Sequence, residues 1–247
     1  WMLSASFKLN KDVFVFPIEW IPSNPHPQNY VDIWTRIPLL TFIGNTAKLT
    51  IIVTLLQLFT SSFAAYAFAK LNFKGKKVLF LGYIATIALP WQAYMVPQFM
   101  MMRSWGLNNT HLAIILLQAF SAFGVFLMKQ FAETIPTEIL EAARVDGAGE
   151  LRTFFSVVFP MIKPGIGALA IFTFVNTWND YFLQLVMLIS EEQWTLPLAI
   201  ANMQGEMSTD YGLIMAGAAL ASVPIIIVFI AFQKYFTQGI AMGAVKG

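Results

Sequence analysis

The stretch of sequence that decides the fold is "EILEAARVDGAGELRTFFSVVFP", residues 138–160. It carries six charged side chains and clusters alanine and glycine, although long apolar runs lie on both sides of it. Charged side chains are costly inside a bilayer, so this segment is expected to lie in water or against another protein. The remainder of the sequence indicates which side of a membrane it faces.

The composition predicts a membrane protein. Of 247 residues, 57% are hydrophobic and 11% are charged, whereas soluble domains have about 25% charged residues. The net charge of +2 and the lack of a long basic run give no argument for a nucleic-acid partner. The chain has no cysteine, and its two histidines, His26 and His111, are far apart. Neither a metal site nor a cysteine nucleophile is therefore predicted.

Apolar runs of about 20 residues predict membrane helices, and hence an all-α membrane protein. We count five of them, at Leu49–Ala69, Val78–Met100, Leu112–Ala132, Ile166–Ile189 and Gly212–Phe232. Prolines inside the second and fifth runs predict kinks. The opening "WMLSASFK" resembles the end of a further apolar segment, so we expect one N-terminal helix to precede it. A cleaved signal peptide is the alternative interpretation of that start.

The charges in the loops orient the runs in one alternating pattern. Four lysines follow the first run and predict a cytoplasmic loop: Lys70, Lys74, Lys76 and Lys77. Residues 1–38 then form an outer loop, 133–164 a cytoplasmic loop, and 190–211 an acidic outer loop without lysine or arginine. Residues 233–247 form a cytoplasmic tail, and the whole chain is one transmembrane domain.

Residues 136–160, which we call the knob, are predicted to form two short helices. Pro136 suits a helix start, and Gly147 suits the position just past a helix end. A second helix is expected from Glu150 to Phe159, ending at Pro160. Small residues at the corner between the helices allow another backbone to approach. An amphipathic loop lying on the membrane fits the same helix rules equally well.

The spacing of the knob favours the first interpretation. The sequence "EAA" at 141–143, three residues, Gly147, nine residues and "VVFP", which ends at Pro160, resembles the EAA signature of ABC-transporter permease subunits. Val157 and Phe159 replace the isoleucine and leucine of that signature, and both stay apolar. Segments such as "SSFAAYAFAKLNFKGKK" and "TFVNTWNDYF" extend the resemblance to carbohydrate-type permeases over nearly the whole chain.

The resemblance implies a type I ABC importer permease fold with six spans in a bacterial cytoplasmic membrane. It also implies a homologous permease partner, two ATPase subunits, an extracytoplasmic solute-binding protein and a sugar substrate. In that family the EAA loop docks on the ATPase. The residues expected to couple to it here are Glu138, Glu141, Ala142, Ala143, Arg144, Asp146, Gly147 and Pro160.

The chain is not expected to be an enzyme or to hold a cofactor. It lacks the G-x-x-x-x-G-K-[ST] pattern of a phosphate-binding loop, so ATP and Mg²⁺ are expected on the partner ATPase subunits. An intramembrane enzyme needs a nucleophile with a base, paired acids or metal ligands at membrane depth, and the apolar runs hold a single aspartate.

The fourth run contains the polar sequence "VNTWNDYF", residues 175–182. Its candidates for lining a translocation path are Asn176, Trp178, Asn179, Asp180 and Tyr181. The alternative is that these side chains bond neighbouring helices to one another. Asp180 also supports a rival function, because an ion-coupled secondary transporter uses such an acid as its proton or Na⁺ site.

Overall fold

The regular elements in the described part of the chain are helices, which agrees with the all-α prediction. The computed structural model describes residues 1–204 and 209–244, with side chains described as far as residue 233. Two helices are individually long and apolar enough to cross a membrane. They are α3 (Leu39–Lys70) and α14 (Tyr211–Ala244), the second judged on its part up to Gln233. Both helices meet the criteria for a membrane span through their length and mean hydropathy, and not through an amphipathic face.

Two bent helix pairs raise the number of spans to at most four. In one pair α6 (His111–Gln118) meets α7 (Ala122–Glu133) at 42°. In the other, residues Glu150–Met161 meet α11 (Lys163–Trp178) at 78°. The count of five spans in this chain, and a further helix before it, therefore remain predictions.

The second predicted run, Val78–Met100, is not one continuous helix. It is divided into α4 (Lys76–Ala85) and α5 (Met95–Ser104). Two single 3₁₀ turns lie between them, and Pro90 separates these turns. Proline has no amide hydrogen to continue the helical bonding, so the chain breaks there rather than only kinking.

The fourth predicted run, Ile166–Ile189, is also broken. Helix α11 ends at Trp178, and the short α12 (Phe182–Met187) begins after it. The polar sequence thus lies at a gap between helices and not in the middle of a span. The amide N–H of Leu183 donates to Asp180 Oδ1 at 3.3 Å, so the aspartate favours a new helix start at this point.

Helix α3 lies at the centre of the bundle and packs against both α7 and α11. Gly124 on α7 permits one of these approaches, since a Cβ at that position would lie 2.4 Å from Ser61 Oγ. A Cβ built at Gly165 on α11 would likewise lie 2.5 Å from the ring of Phe131 on α7. Small residues at such crossings are typical of helix packing in membranes.

The outer segment, residues 1–38, is ordered by bonds to the rest of the bundle. It contains α1 (Met2–Ser6) and α2 (Asn29–Arg36), and α1 packs against α14. The Asn29 side chain donates to the carbonyls of Ser6 and Lys8, each at 2.9 Å. Asn10 connects the outer segment to the start of α14, because its side chain donates to Thr209 O and accepts from Tyr211 N–H.

Helix α13 (Leu196–Asn202) lies in the predicted outer loop 190–211, and it packs on α3 and α14. At the other end, the predicted tail 233–247 begins as a continuation of α14, which runs to Ala244. Residues 245–247, which include the predicted cytoplasmic Lys246, lie outside the described residues.

Candidate functional site

The first knob helix forms where local sequence signals place it. Helix α8 (Thr137–Val145) has Pro136 as its N-cap and Asp146 as its C-cap. Gly147 follows with φ +79°, a left-handed conformation that favours glycine. The Gly147 N–H donates to Arg144 O, and the Ala148 N–H donates to Ala143 O, both at 3.0 Å. These two bonds are those of a Schellman motif, which satisfies the last carbonyls of the helix.

The second knob helix begins at Glu150, as predicted, but it does not end at Pro160. It starts as α9 (Glu150–Thr153), passes through a π-helical turn (Phe154–Val158) and ends as α10 (Phe159–Met161). Pro160 lies inside this continuous helix and cannot donate a helical bond to the preceding turn, and the wider π-helical turn directly before it accommodates this loss. The change of direction falls at Ile162, where the chain bends into α11.

Apolar packing joins the base of the knob to the membrane helices. Leu140, Phe154, Val158 and Ile162 are at most 2% exposed, and they share one core cluster with residues of α3 and α7 such as Met128. Burying a side chain of this size contributes about 1.5–3 kcal/mol. The knob is therefore held firmly to the inner ends of those helices.

Polar bonds fix the two knob helices to each other and to α3. Arg144 Nε donates to Glu150 Oε1 at 3.0 Å, and Tyr66 Oη donates to the other oxygen of the same carboxylate. The bond to Glu150 raises the pKa of Arg144. In turn the bonds from Tyr66 and then Arg144 lower the pKa of Glu150, which lies in the predicted cytoplasmic loop. The carboxylate is thus charged at neutral pH and links three elements.

The opposite side of the knob is open. Among the predicted coupling residues Ala143 is half-buried, and the rest are exposed: Glu138, Glu141, Ala142, Arg144, Asp146, Gly147 and Pro160. A Cβ built at Gly147 meets no atom of the chain within 4 Å. Seven of the eight predicted coupling residues are therefore accessible to a partner, and their role in coupling stays a prediction.

Sequence reasoning missed two exposed apolar residues of that surface. Val145 is 86% exposed and Leu151 is 63% exposed, and they lie on either side of the glycine corner. The sequence contains a signal for this exposure. Both residues lie among charged residues, at helical positions that do not share a face with the buried residues of their helices. Apolar side chains exposed beside charged ones are typical of surfaces that bind another protein.

The five predicted path residues have three different environments. Asn176 and Asn179 are exposed, and each side chain donates to the carbonyl four residues earlier, at 2.7 and 2.9 Å. Trp178 is 3% exposed, and its Nε1–H donates to Ala221 O of α14 at 3.0 Å. Tyr181 is half-buried and its ring contacts Phe182. For Trp178 the geometry favours helix-to-helix bonding over lining a path.

The carboxylate of Asp180 accepts a hydrogen bond from another helix of the bundle. Its Oδ2 accepts from Gln118 Nε2 at 2.7 Å, and Gln118 ends α6 at the bend between α6 and α7. The bond therefore joins two helix breaks, residues 119–121 and 179–181. Helix breaks at membrane depth are tolerated where protein or a water-filled cavity surrounds them.

The apolar spans, the apolar core and the accessible two-helix knob with its EAA sequence together indicate the permease subunit of a membrane transporter. The chain belongs to the family described as "Binding-protein-dependent transport system inner membrane component", whose model matches residues 34–242. This confirms the resemblance that the knob sequence carried.

Named relatives are similar in sequence along the full length of this chain. The arabinooligosaccharides transport system permease protein AraQ of Halalkalibacterium halodurans is 34% identical, over 100% of this chain and 89% of its own length. The melibiose/raffinose/stachyose import permease protein MelC of Bacillus subtilis is 36% identical, over 100% of this chain and 90% of its own. Both are transport permeases and not enzymes.

A solved structure also matches the fold. One chain of a bacterial ABC transporter involved in the import of the acidic polysaccharide alginate aligns with a TM-score of 0.85 and 25% sequence identity. The alignment covers 95% of this chain and 88% of that one. The protein is therefore an ABC importer permease in fold as well as in sequence.

Proposed function

We propose that this chain is one permease subunit of an ATP-driven importer for a sugar or oligosaccharide, located in a bacterial cytoplasmic membrane. It forms half of the translocation path and catalyses no bond chemistry. The observation that carries the substrate class is the kinship over the whole chain with permeases named for oligosaccharide transport. A homologous permease forms the other half of the path, and an extracytoplasmic solute-binding protein delivers the sugar.

The knob couples this subunit to separate ATPase subunits, which bind ATP and Mg²⁺. Two observations support this role. Its base is packed into the same core as α3 and α7, and its opposite surface is accessible and combines charges with exposed Val145 and Leu151. A projection fixed at its base and open at its tip transmits a push from a partner as rigid-body movement of the attached helices.

The knob also has a direct mechanical path into the bundle. Its second helix bends at Ile162 into α11, so that displacement of the knob displaces α11 as well. Differential binding of the knob to the open and closed forms of the ATPase pair is then sufficient to shift the permease between inward- and outward-facing states.

An ion-coupled transporter that uses Asp180 is the rival function. It differs from the proposed one in its energy source, and that difference gives the test. The intact complex is reconstituted into liposomes, and uptake of radiolabelled oligosaccharides is measured with the solute-binding protein present. We expect uptake to require both ATP and the ATPase subunits, and to be insensitive to collapse of proton and Na⁺ gradients.

The control is the same complex with an ATPase subunit that binds ATP but cannot hydrolyse it. The control complex should assemble and give no uptake. Uptake that follows an ion gradient in this complex, or in the permeases without any ATPase, would contradict the proposed function and favour the ion-coupled one.

A further inference from the structure

Three interruptions in the helices meet at one place in the bundle. They are the turns between α4 and α5, the bend at residues 119–121 and the gap at 179–181. Between them lies a cavity of about 290 Å³. Its polar and aromatic lining comprises Trp91, Gln92, Tyr94, Gln98, Gln118, Asp180 and Phe182.

The hydrogen bonds already made at this cavity leave specific groups available. Asp180 accepts one bond at each oxygen, from Gln118 and from Leu183, and a carboxylate has about four acceptor sites. Gln98 Oε1 accepts from Trp91 Nε1–H at 2.9 Å, which leaves the Gln98 amide N–H groups as donors. The lining therefore offers both acceptors and donors from opposite sides.

Gln118 holds an acceptor that the protein leaves unused. Its Oε1 is buried and has no hydrogen-bond partner among the described residues. Buried polar atoms are nearly always bonded. Because this oxygen has almost no solvent-accessible surface, the Gln118 amide must rotate slightly before a donor in the cavity can reach it. Water is one such donor and a ligand hydroxyl is another.

A second layer of bonds holds this lining in place. Gln57 Nε2 on α3 donates to Gln118 O at 2.7 Å, and Thr173 Oγ1 on α11 donates to Gln57 Oε1 at 3.1 Å. The carbonyl freed by the bend between α6 and α7 is thereby satisfied. The polar groups that face the cavity are thus positioned by three helices, as a binding site requires.

The lining has an unbalanced charge. Its described residues include one carboxylate and no lysine or arginine, and Asp180 makes no ion pair among the residues that the structure describes. In a medium of low polarity an unpaired carboxylate repels an anionic ligand strongly. Hydroxyl groups, by contrast, are good donors to it, and the rings of Trp91 and Tyr94 provide flat apolar contact.

We propose that this cavity is where the subunit contacts the sugar in transit, and that Asp180, Gln92 and Gln118 select uncharged, hydroxyl-rich sugars over acidic ones. This inference rests on the proposed function. It places the substrate contact of this chain at the three helix interruptions, and it removes Trp178 from the set of path residues.

The test uses the complete transporter in liposomes with its sugar-loaded solute-binding protein at saturation. The probes are the neutral sugars raffinose, arabinotriose and chitotriose, and the acidic trigalacturonate. For the neutral sugar that is imported fastest, Asp180→Asn should lower the import rate about tenfold and Gln92→Met about fivefold, since each removes hydrogen bonds to the sugar. ATP hydrolysis stimulated by the loaded binding protein should stay within twofold of the wild type.

Two features of these variants exclude a folding artefact. Gln92 is exposed, and its side chain makes no hydrogen bond within the part of the chain that the structure describes. Asparagine at 180 keeps one acceptor, for Leu183 N–H, and its NH2 group can donate to Gln118 Oε1 once the Gln118 amide rotates. Gln130→Met, on an exposed position of α7 away from the cavity, is the matched control and should import at the wild-type rate.

The outcomes separate the two proposals. If the wild-type complex imports no sugar that its solute-binding protein binds, or imports it without ATP and the ATPase subunits, the proposed function fails and this inference fails with it. If a neutral sugar is imported but Asp180→Asn and Gln92→Met transport it at the rate of Gln130→Met, only the inference is overturned. Import of trigalacturonate at the rate of the neutral sugars would likewise overturn the selection against acidic ligands.

Discussion

Replacing Gly147 tests whether the corner of the knob is required for its backbone shape or for its small size. Gly147 has φ +79°, and its amide makes one of the two bonds that close the end of α8. An alanine in this left-handed conformation costs about 1–2 kcal/mol. No atom of the chain lies within 4 Å of the position of the new Cβ, so the cost within this chain is conformational and not steric.

The expected consequence is weaker binding of the ATPase. If docking requires the closed end of α8, the strain of 1–2 kcal/mol appears as a rise in Kd of about 5- to 30-fold. The assay is titration of labelled ATPase subunits onto the permease pair in detergent. Insertion and thermal unfolding of the bundle should change little, since the knob core below Leu140 is untouched.

Two further variants identify the cause. Gly149→Ala is the matched control, because Gly149 has φ −71° and equally open surroundings, and it should bind the ATPase with nearly wild-type affinity. Gly147→Asn is larger than alanine but tolerates the left-handed conformation. We expect affinity to fall in the order Gly147, asparagine, alanine. An order in which alanine binds better than asparagine would refute the backbone explanation and indicate close contact with the partner.

Two other substitutions test how the knob and the bundle are held. Gly124→Ala places a methyl group 2.4 Å from Ser61 Oγ and should lower the stability of the bundle in thermal unfolding by about 1–3 kcal/mol. Gly44→Ala is the control, because open space surrounds that position, and it should not lower the stability. Equal effects of the two variants would contradict close packing of α3 on α7. Tyr66→Phe removes the bond to Glu150 but keeps the ring, so amide exchange at the start of α9 should accelerate about fivefold. Unchanged exchange there would mean that this bond does not stabilise the knob.

The parts of the fold that sequence reasoning predicted are those that depend on local signals. Pro136 and Gly147 bound α8 by their own backbone preferences, so the helix and its corner are found where the sequence places them. The charged side chains of the knob predicted its accessible surface for a similar reason. Apolar runs long enough to span a membrane predicted α3 and α14, because length and hydropathy are properties of the segment alone.

The parts that sequence reasoning misplaced depend on contacts between distant segments. The local signal for the break after Trp178 is weak and consists of Asn179 and Asp180, and the bond from Gln118 to Asp180, 62 residues away, cannot be inferred from it. Pro160 was expected to end a helix, but the helix continues to Met161, and the π-helical turn before the proline was not predicted from the sequence. The link from Glu150 to Tyr66 is likewise tertiary.

Helix α11 connects the two proposed sites of action. It begins one residue after the bend that closes the knob and ends two residues before Asp180. Its 16 residues form a rod about 24 Å long, since an α-helix rises 1.5 Å per residue. A helix of that length transmits a displacement of its end with little bending. The proposed ATPase contact at the knob and the proposed sugar contact at the cavity then lie near the two ends of one rigid helix. Gln118 lies on α6, and Asp180 follows α11. A movement of α11 imposed by the ATPase would therefore change the distance between these two side chains and alter the proposed sugar site.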